Sequence, residues 1–397
     1  MESAQVVPSP SGVLSIVLAG GRGSRLHDLT DCEAKPALPI GPDLRLIDFT
    51  LANIVNSGLQ KAMVLTQHAP STLQAHLARW VSDSTPCGFT VLDGSDHGPF
   101  AGTAHAVASV MDQIEREAPE HVVVLAGDHL YQMDYRPLVQ RHVDRAASVT
   151  VGVVHVPVPQ ASEFGILAAD ASGRITAFVE KPRIAPEAGD LPGRALASMG
   201  IYVFDWKVLR PLLATMAKAV TDLDFGRHIV PHLVAAGNAF AYALPGRGEE
   251  EPLWQDLGTL DAYHAVQMKL AAGALVLDPK WPVVSLADNR QSTFGGGSLL
   301  RGVAVLPGAR IGRWVSISNA IVTGDAVIPD GFDLNETIAD FGNWCIVSPG
   351  GIRLISAQAL KHLAALRHKY TILPERSSLR SLGEIPVPAV VPALPAV

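Results

Sequence analysis

Short apolar runs alternate with segments of helical period along the first two thirds of the chain. SIVLA, AMVLT and HVVVLAG have the composition of buried strands, and helix-period segments follow or precede them at 47–57, 72–81, 103–117 and 137–146. This alternation predicts an α/β fold whose mostly parallel sheet has six or more strands and helices on both faces. In such sheets ligands bind at the carboxyl ends of the strands.

The pattern changes between residues 155 and 205. GILAAD, RITAFVE and ALASMGIYVF are short apolar segments separated by Gly and Pro. Segments of this kind predict an antiparallel extension of the sheet. We expect this extension to form one wall of the ligand pocket.

A second domain is predicted after a helix at 260–272 and the proline-containing connector DPKWPVV. Apolar residues then recur six positions apart, which is typical of a left-handed parallel β-helix with about three coils of about eighteen residues. A small β-sandwich is the alternative. The spaced residues are Val305, Ile311 and Ile317, followed by Ile321 and Val327.

These patterns divide the chain into five parts. We predict an N-terminal extension at 1–14, a first domain at 15–275, a connector at 276–290, a β-helix with a C-terminal helix at 291–383, and a Pro-rich tail at 384–397.

Composition narrows the possible partners. The formal charge is −7 with 31 Lys plus Arg, and no basic run suggests nucleic-acid binding. No stretch of 18 apolar residues and no signal-peptide pattern occurs, so neither a membrane nor export is predicted. The cysteines Cys32, Cys87 and Cys345 are far apart, which favours a reducing compartment and a cytoplasmic location.

A glycine-rich segment follows the first strand and contains Gly20, Gly21 and Gly23. Glycines let backbone N–H groups approach a polyphosphate, and Arg25 with Lys35 could hold its charge. The segment is neither a G-x-G-x-x-G fingerprint nor a P-loop with G-K-[ST]. The alternative is an ordinary tight turn.

Two carboxylates could share a divalent ion. Asp128 directly follows the strand HVVVLAG, and Asp256 in WQDLG could reach the same place from the other side of the pocket. Oxygen ligands with open water positions suit Mg²⁺. Each aspartate could instead cap a turn or a helix. The 14 histidines show no HExxH spacing, so a zinc hydrolase has no support.

The motifs together resemble the bacterial ADP-glucose pyrophosphorylases, also called glucose-1-phosphate adenylyltransferases. The likeness spans nearly the whole chain and is carried by LAGGRGSRLHDLTDCEAKPALPIG, LRLIDFTLANIVNSG, GTAHAV, LAGDHLY, FVEKP, ASMGIYVF, DFG and WQDLGTLDAY. It implies a Rossmann-like nucleotidyltransferase domain followed by a short left-handed β-helix. It also implies a reaction in which ATP and glucose 1-phosphate, with Mg²⁺ as cofactor, give ADP-glucose and pyrophosphate. The ADP-glucose would serve glycogen or related glucan synthesis. The resemblance further implies a homo-oligomer, either a tetramer or a dimer.

The resemblance assigns roles to individual residues. It implies Arg25, Lys35 and Asp128 as catalytic, and Asp128 with Asp256 as metal ligands. It implies nucleotide contacts at Leu18, Gly20, Gly21, Gln67, Gly102 and Thr103, and sugar-phosphate contacts at Gly165, Glu180, Lys181 and Ser198. Strand alternation sends Glu180 and Lys181 to opposite faces unless the chain bends at the following proline.

Three departures from the family pattern change the expectations. Pro99, Phe100 and His105 replace residues beside the nucleotide, which leaves the base preference open. Cys32 and Glu33 stand where activated members often carry cations, so we expect altered or absent activation by anionic effectors. The β-helix is shorter than usual, which leaves the tetramer open.

Two alternatives therefore stay beside the adenylyltransferase. The same chemistry could use another sugar 1-phosphate or another nucleoside triphosphate such as UTP. A regulatory subunit without catalysis is disfavoured, because it would be expected to have lost at least one of Arg25, Lys35, Asp128, Lys181 and Asp256.

Overall fold

The computed structural model describes residues 12–31, 33–81, 86–97, 99–184, 188, 191–246, 251–283 and 291–372. Five of the predicted features lie wholly or partly outside the described residues: the N-terminal extension up to residue 11, Cys32, the connector from 284 to 290, the C-terminal helix region from 373 to 383, and the Pro-rich tail.

Twenty strands occur in the described part of the chain. In order they are β1 (Val13–Ala19), β2 (Pro39–Ile40), β3 (Leu44–Arg45), β4 (Lys61–Thr66), β5 (Gly88–Asp93), β6 (His121–Ala126), β7 (His129–Tyr131), β8 (Val149–Pro157), β9 (Gly165–Ala169), β10 (Ile175–Glu180), β11 (Arg194–Asp205), β12 (Ala239–Ala243), β13 (Trp254–Asp256), β14 (Thr293–Phe294), β15 (Leu299–Val305), β16 (Arg310–Ile311), β17 (Ser316–Val322), β18 (Val327–Ile328), β19 (Ile346–Val347) and β20 (Arg353–Ile355).

The α-helices of the described residues are α1 (Leu46–Asn56), α2 (Pro70–Trp80), α3 (Gly94–His97), α4 (Thr103–Ser109), α5 (Met111–Glu117), α6 (Arg136–Asp144), α7 (Trp206–Ala219), α8 (Val230–Ala235), α9 (Leu260–Ala271), α10 (Leu334–Phe341) and α11 (Ala357–Ile372). Short 3₁₀ turns occur at Ser24–Leu29, Lys35–Ala37 and Val158–Glu163, and a π-helical turn at Phe225–Ile229.

The central sheet has nine strands and confirms the predicted α/β class. β5, β4, β1 and β6 lie side by side and run parallel. β11 runs antiparallel to β6. On the other side of β11, β8 pairs with β11 and β12 pairs with β8, and both run in the same direction as β6. β9 pairs antiparallel with β11 and β10 with β9, so the predicted antiparallel extension is also confirmed. β10 and β11 are the two strands of this sheet that run against the rest.

Alternation along β1 explains why helices cover both faces of the sheet. Val13 and Val17 pack into one core with α1, α2 and α6, whereas Leu14 and Ile16 pack into the other with α4, α5, α7 and α8. A strand buried on both faces is apolar at nearly every position, which is the signal that the sequence carries. The carboxyl ends of β1, β4 and β6 are thereby brought to one edge.

One predicted helix is two helices. The segment 103–117 was expected to be continuous, but Val110 has φ −116° and ψ 20° and separates α4 from α5. Val110 itself is completely buried, and so is Ile114 in the following helix. The bend lets both short helices present apolar residues to the same core, a packing demand that helical period alone does not reveal.

The C-terminal region forms a short parallel β-helix, as predicted. β14, β16 and β18 stack in one parallel sheet, and β15, β17 and β20 stack in another. Paired residues lie 17 positions apart, as in Thr293 with Arg310 and Arg310 with Val327, which is close to the expected coil length. After β18 the chain leaves the coil to form α10 and returns at β20.

One residue of the six-residue pattern does not face the core of the β-helix. Val327 is 54% exposed, whereas its neighbour Ile328 is 1% exposed. Successive residues of a strand point to opposite sides, so a shift of one position exchanges inside and outside. Ile311, Ile317 and Ile321 are buried as expected.

The β-helix packs against the first domain through shared apolar and polar contacts. Ala304, Leu306, Ile321 and Leu354 join a buried cluster with residues of α1 and α9. Ser356 donates a hydrogen bond to Asp28 at 2.6 Å, and His264 contacts the Gly302 carbonyl oxygen at 2.8 Å. The exact division of the chain between 275 and 290 stays a prediction. Among the described helices, none combines the length and the apolar character needed to span a bilayer.

A buried histidine makes stability depend on pH. Burial, together with neighbouring His121, lowers the pKa of His142 from 6.5 to about 4, and its Nδ1 lies 3.0 Å from the Thr150 hydroxyl. When the pH is below 6.5, the unfolded chain binds a proton at His142 but the folded chain does not until the pH is near 4. The free energy of unfolding should therefore decrease as the pH is lowered. We expect a loss of about 2 to 3 kcal/mol between pH 7 and 4.5 from this residue.

Urea unfolding of the His142→Asn variant checks this expectation. The asparagine amide can keep the contact with Thr150 but does not titrate, so the variant should lose less stability on acidification than the unsubstituted chain. His232→Asn, at an exposed position, is the control and should leave the dependence of the unfolding free energy on pH unchanged. If His142→Asn and the unsubstituted chain lost the same stability on acidification, His142 would not be the source of this pH dependence.

Candidate active site

A cleft of about 760 Å³ opens at the carboxyl ends of β1, β4 and β6. This is the edge at which the fold class predicts ligand binding. Nine of the predicted catalytic, binding and metal residues line it: Leu18, Gly20, Gly21, Gln67, Gly102, Thr103, Asp128, Glu180 and Lys181.

The glycine-rich segment forms one rim of the cleft. Gly21 has open space where a side chain would begin, and Gly23 has the left-handed φ of 63° that favours glycine. A Cβ atom at Gly23 would also lie 3.1 Å from the Cβ of Lys35. The segment is therefore compact and leaves backbone groups accessible to a bound anion.

The loop that precedes α4 is held against the opposite wall. Gln67 accepts a hydrogen bond from the Phe100 amide at 2.8 Å, so the amide nitrogen of Gln67 is left to donate elsewhere. A Cβ at Gly102 would lie 2.4 Å from the Leu223 carbonyl oxygen, so only glycine fits there. Thr103 donates to Asp224 at 2.8 Å and accepts from the Phe225 amide at 3.0 Å. These contacts join the two walls of the cleft.

Glu180 and Lys181 both line the cleft, although strand alternation alone would separate them. Lys181 has a left-handed φ of 47°, which turns the chain at the end of β10 before Pro182. Its amide donates to the Phe164 carbonyl oxygen at 3.0 Å and anchors the turn. A non-glycine residue in this conformation is uncommon and is often found at binding sites.

Two glycines surround the Glu180 carboxylate. A Cβ at Gly165 would lie 2.8 Å from Glu180 Oε2, and one at Gly226 would lie 2.5 Å from the same atom. Burial and the nearby charge of Asp224 raise the pKa of Glu180. Gly165 thus lies behind the cleft and shapes the position of Glu180. Ser198 also lies behind the lining, with its hydroxyl 3.3 Å from the Tyr202 hydroxyl.

A buried ammonium group joins the two predicted metal ligands. Lys35 Nζ lies 2.8 Å from Asp128 Oδ2 and 2.8 Å from Asp256 Oδ1, and its side chain is 7% exposed. β7 and β13 pair Asp256 with His129, the residue after Asp128, which explains how two aspartates 128 positions apart in sequence meet. Burial disfavours both charges, but their mutual attraction prevails: it raises the pKa of Lys35 and lowers that of Asp128 to about 2.

Arg25 does not line the cleft in this structure. Its guanidinium forms an ion pair with Glu163 and lies 3.8 Å from Asp256 Oδ2. The pair is about half exposed, so little free energy holds it and the guanidinium can turn toward a ligand.

Several residues at the site were missed from the sequence. Asp224, Tyr202 and Arg22 line the cleft, and His129 lies beside the two aspartates. Asp224 and His129 stood inside the motifs DFG and LAGDHLY, so the motifs themselves were the available signal. Asp224 also accepts hydrogen bonds from the amides of Gly226 and Arg227 and so begins the π-helical turn.

The residues that depart from the family pattern lie in different parts of the structure. Phe100 lines the cleft, whereas Pro99 is exposed. His105 lies on α4, where its ring nitrogen is 3.4 Å from the Ala101 amide. Glu33 forms an ion pair at 2.6 Å with the buried Arg45. This pairing places a negative charge next to a cation. Altered or absent activation by anionic effectors stays a prediction.

Comparison with known proteins identifies the class to which this fold and cleft belong. A family model described as "Nucleotidyl transferase" matches residues 14–273, from the first strand through the end of α9. The chain therefore belongs to the nucleotidyl transferase family.

Within that family the relatives are glucose-1-phosphate adenylyltransferases, and the chain belongs with them. The relative from Jannaschia sp. is 35% identical over 398 residues, which cover 87% of this chain and 95% of the relative. Those from Agrobacterium fabrum and Thiobacillus denitrificans are 36% and 38% identical and cover 85% and 87% of this chain, and 93% and 90% of their own lengths.

Proposed function

We propose that this chain transfers the adenylyl group of ATP to glucose 1-phosphate and releases pyrophosphate, and that the ADP-glucose formed serves glycogen or related glucan synthesis. The observation that carries the proposal is that the glycine-rich segment, Lys181 and Asp128 line one cleft at the sheet edge, and that Lys35 lies 2.8 Å from both Asp128 and Asp256. The curated relatives with this printed activity extend over nearly the whole chain.

The two substrates fit opposite sides of the cleft. Gly20, Gly21 and Gln67 offer backbone and amide donors on the nucleotide side. On the other side, Lys181 can neutralise the sugar phosphate while Glu180 accepts hydrogen bonds from sugar hydroxyls. A phosphate oxygen of the sugar 1-phosphate then attacks the α-phosphorus of ATP, the new P–O bond forms, and the bond to the β-phosphate oxygen breaks.

The cationic side chains act on the leaving group. Pyrophosphate gains negative charge as it departs, and Lys35 with Arg25 can stabilise that charge. Arg25 must first leave Glu163, which costs little because that ion pair is exposed. Asp128 and Asp256 hold Lys35 in place from both sides.

The same two carboxylates fit a divalent cation. Donor atoms of Asp128, His129 and Asp256 lie within 4.8 Å of one another, and the Lys35 ammonium already occupies the position of a cation between the aspartates. Carboxylate oxygens are the ligands that Mg²⁺ prefers, and a bound Mg²⁺ would supply charge stabilisation to the phosphates. With such a cation bound, Lys35 would be free to bind phosphate oxygen.

One assay tests the proposed function. The purified chain is mixed with Mg²⁺, glucose 1-phosphate and each of ATP, UTP, dTTP and GTP in turn, and pyrophosphate release is followed. We expect turnover with ATP. Turnover with UTP or dTTP but not ATP would contradict the adenylyl assignment and favour another sugar nucleotide. Absence of turnover with all four would favour the non-catalytic regulatory subunit.

A further inference from the structure

The ring of His129 is held rigidly beside the carboxylate pair. Its Nδ1 lies 3.1 Å from the Met199 carbonyl oxygen, and its ring packs edge-on against Trp254 with centroids 5.3 Å apart. The side chain is 14% exposed.

The contact with Met199 determines which ring nitrogen is available. A carbonyl oxygen accepts hydrogen bonds and cannot donate them, so Nδ1 must carry the proton. In the neutral ring Nε2 then has a free lone pair. Metal-binding histidines are usually oriented in this way, with the second nitrogen donating to a carbonyl or carboxylate oxygen.

Nε2 lies close to both predicted metal ligands. Nε2 lies 3.7 Å from Asp128 Oδ1 and 3.9 Å from Asp256 Oδ1. Two ligands of one ion, each about 2.1 Å from it, lie between roughly 3 and 4.2 Å apart in tetrahedral or octahedral geometry. Nε2 therefore has the separation from each carboxylate oxygen that two ligands of one ion have, and the three donor atoms all lie within 4.8 Å of one another.

From this geometry we infer that His129 is a third ligand of the divalent cation, through Nε2, and that the site accepts Mn²⁺ or Co²⁺ more tightly than Mg²⁺. The inference rests on the proposed function, which assigns a metal to Asp128 and Asp256. Imidazole nitrogen suits later divalent metals, whereas Mg²⁺ favours an all-oxygen environment.

Pulsed electron paramagnetic resonance of the full chain with Mn²⁺ alone tests the coordination directly. We expect the nitrogen modulation of a bound imidazole, and we expect its frequencies to change in protein labelled with ¹⁵N-histidine. The His129→Phe variant keeps the aromatic contact with Trp254 but has no ligand atom, so the modulation should disappear and Mn²⁺ affinity should fall at least about tenfold.

Two further variants separate coordination from disturbance of the fold. His129→Gln retains an oxygen donor near the position of Nε2, so it should lose the nitrogen modulation and the preference for Mn²⁺ over Mg²⁺ but bind Mg²⁺ nearly as before. His362→Phe is the matched control, because His362 Nδ1 also contacts a backbone carbonyl oxygen, that of Trp344 at 3.3 Å, far along the chain in the β-helix region. It should leave both the modulation and the Mn²⁺ affinity unchanged.

The outcomes distinguish this inference from the proposed function. Mn²⁺ bound without nitrogen modulation, or with equal affinity in His129→Phe, would overturn the role of His129, while ATP turnover with Mg²⁺ would still support the adenylyltransferase. Modulation that depends on His129 in a chain without nucleotidyl transfer would support the ligand and contradict the function.

Discussion

Replacing Asp128 with asparagine is expected to lower turnover about a thousandfold while the chain stays folded. Asp128 bonds to Lys35 at 2.8 Å and is one of the two carboxylates proposed for the cation. Its pKa of about 2 means that the carboxylate is ionised throughout the usual assay range. Asparagine has nearly the same shape but no charge, so the expected loss comes from electrostatics and should be similar from pH 6 to pH 9.

Steady-state kinetics with ATP and glucose 1-phosphate measure this loss, and circular dichroism checks the fold. Asp134→Asn is a matched control, because Asp134 is also 30% exposed and also ion-paired, to Arg136 at 2.7 Å. It lies outside the cleft lining and should keep turnover within about twofold. An Asp128→Asn variant that retains a tenth or more of the activity would remove Asp128 from the catalytic set.

Replacing Lys35 with methionine should separate turnover from metal binding. The ammonium stabilises the leaving pyrophosphate in the proposed reaction, so its removal should lower turnover by about a hundredfold to a thousandfold. The same ammonium competes with a divalent cation for Asp128 and Asp256 in the free chain. Without it, the free chain should bind Mn²⁺ about tenfold more tightly, because two carboxylates then lack a counter-charge.

Calorimetric titration with Mn²⁺ and kinetics with Mg²⁺ measure the two effects on the same preparation. Lys61→Met serves as the control, since Lys61 also pairs with a carboxylate, Glu117, but is 58% exposed. Neither quantity should change in that variant. Weaker Mn²⁺ binding by Lys35→Met would show that the ammonium supports the carboxylates rather than competing with the cation.

The alternation of apolar and helical segments was sufficient to predict the sheet. Strands such as β1 and β6 are buried on both faces, so they are apolar at nearly every position and stand out from the amphipathic helices between them. The approximate coil length of the β-helix followed from the six-residue spacing of its apolar residues. The spacing did not show which residue of β18 faces inward, because Val327 and Ile328 are both apolar and composition cannot say which one faces the core.

The candidate site was predicted less completely than the fold. Glycines and charged residues in motifs indicated the phosphate side, and their convergence on one cleft follows from the parallel strands that carry them. The left-handed turn at Lys181 and the ion pair of Arg25 with Glu163 depend on groups distant in the chain, so local pattern could not reveal them.

The sequence alone determined the fold class, the edge of the sheet at which the cleft lies and nine of the residues that line it, because each depends on local apolar period or on a short motif. Only the tertiary structure decided that Lys35 lies between Asp128 and Asp256 and that Nε2 of His129 lies 3.7 and 3.9 Å from carboxylate oxygens of these two residues. The physical reason is that β7 and β13 pair across more than a hundred residues, and the distances between charges that govern the chemistry exist only once that pairing has formed.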